Sequence, residues 1–546
     1  MLNFTTKETF IVPSFDLDKE ERTKLDRFLH ILDKPGVSMF FPTRSVSDLE
    51  KGGRPHYSYY DLFATILYGF AFGSPTLREL ETSCKYDLRY FYLMDQNRPS
   101  HMRFGDFINE IIVPNRNEIF HMITKEIIRE CGLMLDDVFI DGSKFEADAN
   151  KYKFVWKPTK FHEKLSDKIR DLLKGVGLSR SIPEKGIINS KLIAIKVSEL
   201  SKLVEADKTY KSDYDSICSM LIKSLEYEEK ERICGPERNS YYKTDHDATA
   251  MCLKEDYYSG LGSNMHAGYN AQILVSKGII CSYYISQSRN DLKDFIPAID
   301  RFYEAYGYYP ERVCADSGYG SLENYEYLNN HNIGNYVKYY SFAGNVSGRN
   351  PDPYYLEDDG TLICLNGNKG VTITVDNRHP KNAGAIFYKV IGCKICPFAD
   401  YCKRYQKIKN EDSKIFEVSP RLTYYKQESL TNLLSPKGIE TRVNRSSQVE
   451  GAFGILKEDM NYTRLRRTSL KKVETEFMLT FLGYNLRKLF RFFEGKARFD
   501  YWLVPQNLKS EEKKKPSAKR LSNRVNRKKN KSVNEQAKSN YKYSSR

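Results

Sequence analysis

The sequence contains no long apolar run. Its longest apolar stretch, from Leu62 to Gly73, is well short of the roughly 20 residues that cross a bilayer. The first residues, MLNFTTKETF, also lack the charged start and apolar core of a secretory signal. These absences argue against a membrane or secreted protein, and we expect an intracellular one. A coiled-coil heptad repeat is missing too, so the sequence does not indicate how copies of the chain would assemble.

The eleven cysteines are therefore expected to be reduced thiols, and clustered ones are expected to bind a metal. One cluster consists of Cys393, Cys396 and Cys402 in a loop with Pro and Lys, and of Cys364 upstream of that loop. Four thiolates from two short loops suit a tetrahedral structural Zn²⁺ site. The alternative is that all four are free thiols.

Positive charge is unevenly distributed along the 546 residues. The net charge is +15, and residues 506–546 hold 14 Lys and Arg against 3 Asp and Glu. Because this tail also has few apolar residues, we expect it to be disordered and to bind a polyanion in a salt-sensitive way. It could instead serve only solubility. The 13% aromatic content argues against disorder of the whole chain, and the length predicts two or more domains.

Residues 1–135 are predicted to be mostly helical. Apolar residues recur at helical spacing from Asp16 to Leu32, and Tyr57 to Phe72 is a second, strongly apolar helix. Arginines are spaced through this region at Arg54, Arg78, Arg89 and Arg103. The pattern fits a helix-turn-helix domain that reads DNA and fits a plain helical bundle equally well.

Residues 136–495 are predicted to form an α/β domain. The order of elements is strand, insertion, strand, strand, helix, strand, helix, strand, which indicates a mixed sheet with flanking helices. A charged helical insertion is expected at about 158–240. A second insertion, at about 341–440, is rich in Gly, Pro and Asn and contains the four clustered cysteines.

Two aspartates close apolar runs in the same way. Asp141 follows Val138–Ile140 and precedes a Gly-Ser turn, and Asp316 follows Val313–Ala315 and precedes a Ser-Gly turn. Short apolar runs of this kind indicate buried strands, so each carboxylate is expected at the rim of a sheet, where a metal ion can bind. A single such aspartate would more often cap a turn. Two of them in a basic protein indicate metal-dependent chemistry on nucleic acid.

A third acidic residue, Glu450, lies on a predicted helix with Ser446 or Ser447 as its N-cap. Glu450 and Lys457 would lie two turns apart on one side of this helix. The carboxylate could then face the rim of the sheet while the ammonium reaches a phosphate. The alternative is an ordinary amphipathic helix with solvated Glu and Lys side chains.

This set of residues resembles the DDE transposases of bacterial insertion sequences. The matching segments are Phe139 to Ala147, Thr244 to Ala248, Gly268 to Gln272, Ala315 to Tyr319 and Arg445 to Lys457, with Gly53 to Tyr57 and Arg78 to Glu81 in the N-terminal domain. The resemblance covers roughly residues 50–495. It implies a ribonuclease-H-like catalytic domain at 136–495 that follows a helical DNA-binding domain at 1–135.

The resemblance also implies the chemistry. Asp141, Asp316 and Glu450 would be the catalytic residues and would bind two divalent ions, Mg²⁺ or Mn²⁺, since converging carboxylates are hard oxygen ligands. The implied reaction cleaves DNA at the ends of the element and joins the freed 3′-hydroxyl to target DNA. The implied partners are double-stranded DNA (terminal inverted repeats and target) and further copies of the chain. No membrane is implied, and the expected location is the bacterial cytoplasm, at the nucleoid.

Basic residues near the glutamate are implied to bind DNA. They are Arg442, Arg445, Lys457, Arg464, Arg466 and Arg467. The sequence departs from many relatives at Ser446, four residues before the glutamate, where they carry an arginine. Which neighbouring arginine takes that place stays open. The run after the helix, which also contains Tyr462, fits a solvated basic surface about as well.

Two other functions remain open at this point. A catalytically inactive DNA-binding protein derived from a transposase would have the same domains, and a metal-dependent nuclease would have the same acidic site without joining activity. Asp245 and Asp247 could assist metal or DNA binding, but capping and turn roles are favoured for them. His266 is expected to be a satisfied polar residue.

Overall fold

The computed structural model describes residues 17–42, 57–73, 76–253, 265–348, 351–357, 359–374, 384–404, 411–497 and 499. Arg54 and the basic tail 506–546 lie outside these residues. The described chain divides into two compact units. The first unit comprises the described residues of 1–134, 142–305 and 451–498, and the second those of 135–141, 306–450 and residue 499.

The described N-terminal residues are helical, as predicted. The helices are α1 (Lys19–Asp33), α2 (Tyr59–Phe72), α3 (Leu77–Tyr86), α4 (Leu88–Leu93), α5 (His101–Phe107, extended by a π-helical turn Ile108–Ile112) and α6 (Arg116–Glu130). Helix α3 begins with a capping box, in which the Thr76 hydroxyl accepts from the Glu79 backbone and the Glu79 carboxylate accepts from the Thr76 backbone. Two of the spaced arginines have acidic neighbours: Arg89 pairs with Asp87 at 2.6 Å and Arg103 with Asp106 at 3.7 Å.

Strands and helices alternate after residue 136. In chain order they are β1 (Asp137–Glu146), β2 (Phe154–Trp156), α7 (Thr159–Gly175), α8 (Ser190–Ala206), α9 (Lys211–Cys234), β3 (Ser240–Tyr242), β4 (Thr249–Cys252), β5 (Met265–Ser276), β6 (Ile279–Ser286), α10 (Phe295–Tyr306), β7 (Arg312–Ala315), α11 (Leu322–Asn330), β8 (Gly334–Val337) and α12 (Phe342–Ser347). Helices α7 to α9 enclose a hydrophobic cluster of their own, formed by Ile169, Leu173, Ile188, Ile193, Leu200 and Ile217.

The cysteine-containing region comes next, followed by helices. The elements are β9 (Tyr354–Leu356), β10 (Leu362–Cys364), β11 (Gly370–Ile373), β12 (Ile386–Ile391), α13 (Ala399–Cys402), β13 (Ser413–Val418), α14 (Pro420–Leu434), α15 (Pro436–Arg445), a π-helical turn (Ser446–Glu450), α16 (Gly451–Gly454), a second π-helical turn (Ile455–Asp459) and α17 (Leu470–Phe493). Strands β11, β12 and β13 pair antiparallel.

The main sheet is mixed, which confirms the predicted α/β class. In the first unit β5 pairs antiparallel with β4 and with β6. In the second unit β7 pairs parallel with the first residues of β1, from Asp137 to Phe139, and also with β8. The carboxyl ends of β7 and β8 therefore lie at the same edge of the sheet.

Helix α17 is largely buried in the first unit, with sixteen buried residues from Val473 to Phe490. It passes close to α2, because a Cβ on Gly483 would lie 2.7 Å from the Phe70 carbonyl oxygen. Only a residue without a side chain allows this approach. The Asn485 side chain binds the backbone of Ile280 on β6 through both its oxygen and its nitrogen.

The predicted N-cap of the Glu450 helix was wrong. Helical structure starts ten residues earlier, at Pro436, and the Ser435 hydroxyl accepts a hydrogen bond from the Gly438 backbone. Serine followed by proline is a stronger start signal than the later Ser446-Ser447 pair, since proline suits the first helical position. Ser446 and Ser447 instead lie in the first π-helical turn.

Candidate active site

Asp141 lies in the middle of β1. The apolar residues before it, Val138 to Ile140, are buried, whereas 24% of the Asp141 side chain is exposed. The sequence predicted that the strand would end at Asp141, and this was wrong. The strand continues to Glu146, and Gly142 allows it to do so, because a Cβ there would meet the Gln272 amide at 2.4 Å and Asp291 at 2.7 Å.

Asp316 directly follows the end of β7, as predicted. It caps a short 3₁₀ turn, Ser317–Tyr319, and its carboxylate accepts hydrogen bonds from the Ser317 backbone N–H and hydroxyl. Burial alone would raise the pKa of Asp316. The two Ser317 hydrogen bonds, and then the charges of Arg445 and Lys338, outweigh burial and lower this pKa below its usual value.

Arg445, the last residue of α15, connects the acidic residues. Its side chain is 6% exposed, and its guanidinium donates a 2.8 Å hydrogen bond to the Asp141 carboxylate. A second guanidinium nitrogen lies 3.8 Å from a Glu450 oxygen. Burial would lower the pKa of Arg445, but the charge of Asp141, followed by the effects of Cys314 and Asp316, outweighs burial and raises it. The structure therefore brings all three predicted carboxylates around one buried guanidinium, and all four residues belong to the second unit.

The chemistry of this cluster fits a divalent cation. Asp141, Asp316 and Glu450 offer hard oxygen donors. Their negative charges already attract one cationic group, the Arg445 guanidinium. Over the described ranges, however, no three Asp, Glu, His or Cys side chains form a ready metal-binding group. The Arg445 guanidinium instead contacts Asp141 at 2.8 Å and lies 3.8 Å from Glu450.

Lys457 contacts residues of β1 within the first unit. Its ammonium donates to the Ser143 hydroxyl at 2.7 Å and lies 4.7 Å from the centre of the Phe145 ring. Glu450, by contrast, has a side chain that is 62% exposed. The regular two-turn spacing that the sequence suggested does not apply to these two residues, because a π-helical turn contains each of them.

The other basic residues predicted to contact DNA have different surroundings. The Arg442 guanidinium lies 5.5 Å from the Phe342 ring centre, and burial lowers its pKa. Arg464 pairs with Asp148 at 3.2 Å, and the backbone of Arg466 donates to Glu476 while its side chain stays exposed. Burial likewise lowers the pKa of Arg467.

Asp245 and Asp247 act as capping residues, as the sequence favoured. The Asp245 carboxylate accepts from the Ser469 backbone N–H at 3.2 Å, and that of Asp247 accepts from Leu470 at 2.8 Å, so together they cap α17. His266 lies within β5, almost fully buried, with its ring nitrogen 3.7 Å from a Glu146 oxygen.

The four predicted zinc ligands lie around one small cavity of the second unit. Cys364, Cys393, Cys396 and Cys402 line a space of about 20 Å³. Burial raises the pKa of Cys393 and of Cys402, and their proximity to the other cysteines raises both further. The structure thus brings together four thiols, of which the first and last, Cys364 and Cys402, are 38 residues apart in the sequence. Among the described residues they do not form a ready metal site.

Lys338 and Ser317 were not singled out from the sequence. Lys338 follows β8, its backbone N–H donates to the Ala315 carbonyl at 3.1 Å, and its charge lowers the pKa of Asp316. The signal was available in outline: a lysine that follows a strand parallel to β7 lies at the same sheet edge as Asp316. This signal can be used only when the pairing of β7 with β8 is known, and local sequence pattern does not reveal that pairing.

Two known families match parts of this chain. Residues 363–490 match the family described as "Transposase DDE domain", and residues 14–110 match the one described as "Transposase domain (DUF772)". Both matches are to transposase domains, and together they support a DDE transposase of an insertion sequence. No curated protein and no solved structure gave a significant match.

Enzymes of the DDE transposase family cut and join DNA and generally depend on divalent metal ions. The DDE match includes Glu450, Arg445 and all four clustered cysteines, whereas Asp141 and Asp316 lie outside the matched span. The assignment of these two aspartates therefore depends on the structure around Arg445. Of the helices within the described ranges, none combines the length and apolar character of a bilayer-spanning segment.

Proposed function

We propose that this DDE transposase binds the terminal inverted repeats of its own insertion sequence and moves that element by metal-dependent cleavage and strand transfer. Asp141, Asp316 and Glu450 are the proposed catalytic residues. The observation that carries this proposal is their gathering around the Arg445 guanidinium from three different parts of the chain.

The proposed reaction has two phosphoryl-transfer steps. Water attacks the phosphorus at the element end, and the bond to the 3′-oxygen breaks to leave a 3′-hydroxyl. That hydroxyl then attacks a target phosphorus, and the bond that breaks releases a target 3′-hydroxyl. Two Mg²⁺ or Mn²⁺ ions bound by the three carboxylates would activate the nucleophile and stabilise the leaving oxygen.

The residues around the carboxylates have supporting roles in this proposal. Hydrogen bonds from Ser317 keep Asp316 ionised as a ligand, with help from the charges of Arg445 and Lys338. Arg445 fixes the Asp141 carboxylate, and we infer that it releases Glu450 more easily, because that contact is longer and more exposed. The mixed sheet with Asp316 at a strand end supports a ribonuclease-H-like catalytic domain.

The DNA would be bound by basic residues outside the acidic cluster. Arg464 and Arg466 line an open surface cavity of about 270 Å³ with Asn461 and Thr463, and phosphate oxygens suit such donors. The helices at the N-terminus are proposed to read the terminal repeats. Synapsis of two element ends would require more than one copy of the chain, acting at the bacterial nucleoid.

A strand-transfer assay tests this function. Labelled element-end DNA and a plasmid target would be incubated with the full chain in Mg²⁺ or EDTA. Glu450→Gln should abolish joined product, and because the Glu450 side chain is mostly exposed, it should not destabilise the fold. Glu458→Gln is the matched control, since Glu458 is an exposed glutamate of the next π-helical turn and should retain activity.

The outcomes separate the competing functions. Metal-dependent joined product that is lost in Glu450→Gln supports the transposase. Cleavage without joining would show a nuclease instead, and specific binding of a verified element end without either activity would show a non-catalytic DNA-binding protein.

We also propose that the four cysteines bind one structural Zn²⁺ ion. Their shared cavity and their mutual effect on pKa support this ligand set, and thiolates are the usual ligands of structural zinc. Cys364 ends β10, while the other three lie between β12 and β13. Zinc at this position would tie the β9–β10 pair to the three-stranded sheet.

A further inference from the structure

An aromatic and basic segment that contains β2 has no role in the acidic site. Residues 151–157 read Lys-Tyr-Lys-Phe-Val-Trp-Lys, and no Asp or Glu occurs between Ala149 and His162. Phe154 and Trp156 lie two residues apart in β2 and therefore on one face of the strand, and Tyr152 lies in the turn just before it. Tyr152, Phe154 and Trp156 are 81%, 44% and 50% exposed.

Single exposed aromatic residues are common on protein surfaces and need no explanation. This group differs because two of its rings are in direct contact. The rings of Phe154 and Trp156 meet edge to face, with centroids 5.6 Å apart. Both belong to β2, which pairs only with the short strand β3 among the described strands, in the register Trp156 opposite Ser240.

Two cations are positioned on these rings. The Arg289 guanidinium lies 5.6 Å from the Trp156 ring centre and donates to the Ser240 hydroxyl at 3.3 Å. The Lys151 ammonium lies 5.5 Å from the Tyr152 ring centre. The segment therefore combines exposed aromatic rings with a positive charge beside two of them, Tyr152 and Trp156.

We infer that Tyr152, Phe154 and Trp156 form a stacking surface for unpaired bases of single-stranded DNA. Successive unpaired bases have free π-faces to lay on aromatic rings, and the adjacent lysines and Arg289 can neutralise the phosphates between them. Duplex DNA fits less well, since its bases already stack on each other. The inference rests on the proposed function, because unpaired strands arise where a transposase opens or cleaves DNA ends.

Tryptophan fluorescence of the full chain tests this inference directly. The chain has two tryptophans, Trp156 and Trp502, so a Trp502→Phe background leaves Trp156 as the sole reporter. This protein would be titrated in EDTA with oligothymidylate and, separately, with duplex DNA of equal length. Stacking of thymine on the indole should quench the emission with the single strand and leave it largely unchanged with the duplex.

Substitutions should follow the same pattern. In the wild-type background, Phe154→Ala and Trp156→Ala should each weaken binding of labelled oligothymidylate roughly tenfold, as loss of one stacking residue typically does, and Trp156→Phe should retain most of it. Tyr303→Ala, which removes an exposed aromatic residue of α10 in the first unit, should leave it unchanged. Lys153→Gln should reduce the salt dependence of binding.

Other outcomes would overturn the inference. Equal quenching by single strand and duplex would show a surface that only follows phosphates. Binding of the single strand without quenching would place it elsewhere, and quenching that rises with protein concentration in the absence of DNA would show a contact between copies of the chain. Since these titrations involve no catalysis, their failure leaves the strand-transfer result untouched. Loss of strand transfer in Glu450→Gln likewise does not affect them.

Discussion

Arg445 donates a 2.8 Å hydrogen bond to the Asp141 carboxylate from an almost fully buried position. The same guanidinium lowers the pKa of Asp316 and approaches Glu450. A single side chain thus contacts two of the proposed catalytic carboxylates and lowers the pKa of the third, which makes it the most informative position to change.

Arg445→Gln should reduce strand transfer roughly tenfold to a hundredfold, the usual value of a hydrogen bond to a charged group. It should also move the acidic limb of the pH–rate profile to higher pH. The Arg445 charge lowers the pKa of Asp316, so its removal raises that pKa. Arg445→Lys keeps the charge and should keep the limb near its original position. An unchanged profile in Arg445→Gln, measured with folded protein, would contradict this role.

Asp294 should make the stability of the protein depend on pH. Burial, followed by smaller contributions, raises its pKa from 3.8 to about 7, so between these values the folded state holds a proton that the unfolded state has lost. The contribution of Asp294 to stability should therefore be fully present below pH 3.8 and be lost as pH rises through 7. From pH 5 to pH 8 we expect the wild type to lose ~2–3 kcal/mol relative to Asp294→Asn.

Urea unfolding at several pH values measures this difference. The asparagine keeps an oxygen that can accept from Ser286, as Asp294 does at 2.8 Å. Asp171→Asn, at an exposed position of α7, is the control and should show the wild-type dependence. Parallel pH curves for the wild type and Asp294→Asn would refute the prediction.

Removal of zinc should destabilise the cysteine-containing region. Protein purified without chelator should hold one zinc per chain, and Cys393→Ser should lose it together with part of the thermal stability, because a structural site contributes folding energy. Cys252→Ser is the matched control, since Cys252 is exposed and lies outside the cluster. Metal analysis that finds no zinc in the wild type would rule the site out.

Gly483→Ala should destabilise the first unit despite the higher helix propensity of alanine. The added Cβ would lie 2.7 Å from the Phe70 carbonyl oxygen, and backbone cannot move aside cheaply. We expect a loss of about 1–3 kcal/mol. Gly175→Ala, at a helical glycine with nothing within 4 Å of the new atom, should be neutral or stabilising by up to ~1 kcal/mol. Thermal unfolding of the two variants side by side would show the contrast, and equal stability would refute it.

The sequence predicted those parts of the site that local pattern encodes. Asp316 could be placed because an apolar run and a Ser-Gly turn define the end of β7 over a few residues. The end of β1 could not, because its continuation past Asp141 depends on Gly142 packing against Gln272 and Asp291, more than a hundred residues away. Local pattern carries no information about such a neighbour.

The role of Arg445 could not be predicted from the sequence either. In sequence it is one of several arginines near Glu450, and a positive charge next to a catalytic helix suggests a contact with DNA. Its ion pair joins residues 304 positions apart, so only the folded chain distinguishes it from Arg442, which lies over Phe342 instead. The N-cap error has a different origin, because the correct Ser435-Pro436 signal was present in the sequence.

The two π-helical turns between Ser446 and Asp459 have a consequence for how this segment tolerates insertion and deletion. Each such turn contains one residue more than the regular helix would use, so removing a residue restores a regular helix instead of breaking it. Removing Ile455 would rotate Lys457 by about 100° around the axis and away from Ser143. The number of residues in this segment is therefore constrained. A single-codon deletion would leave a regular helix in which Lys457 no longer points towards Ser143.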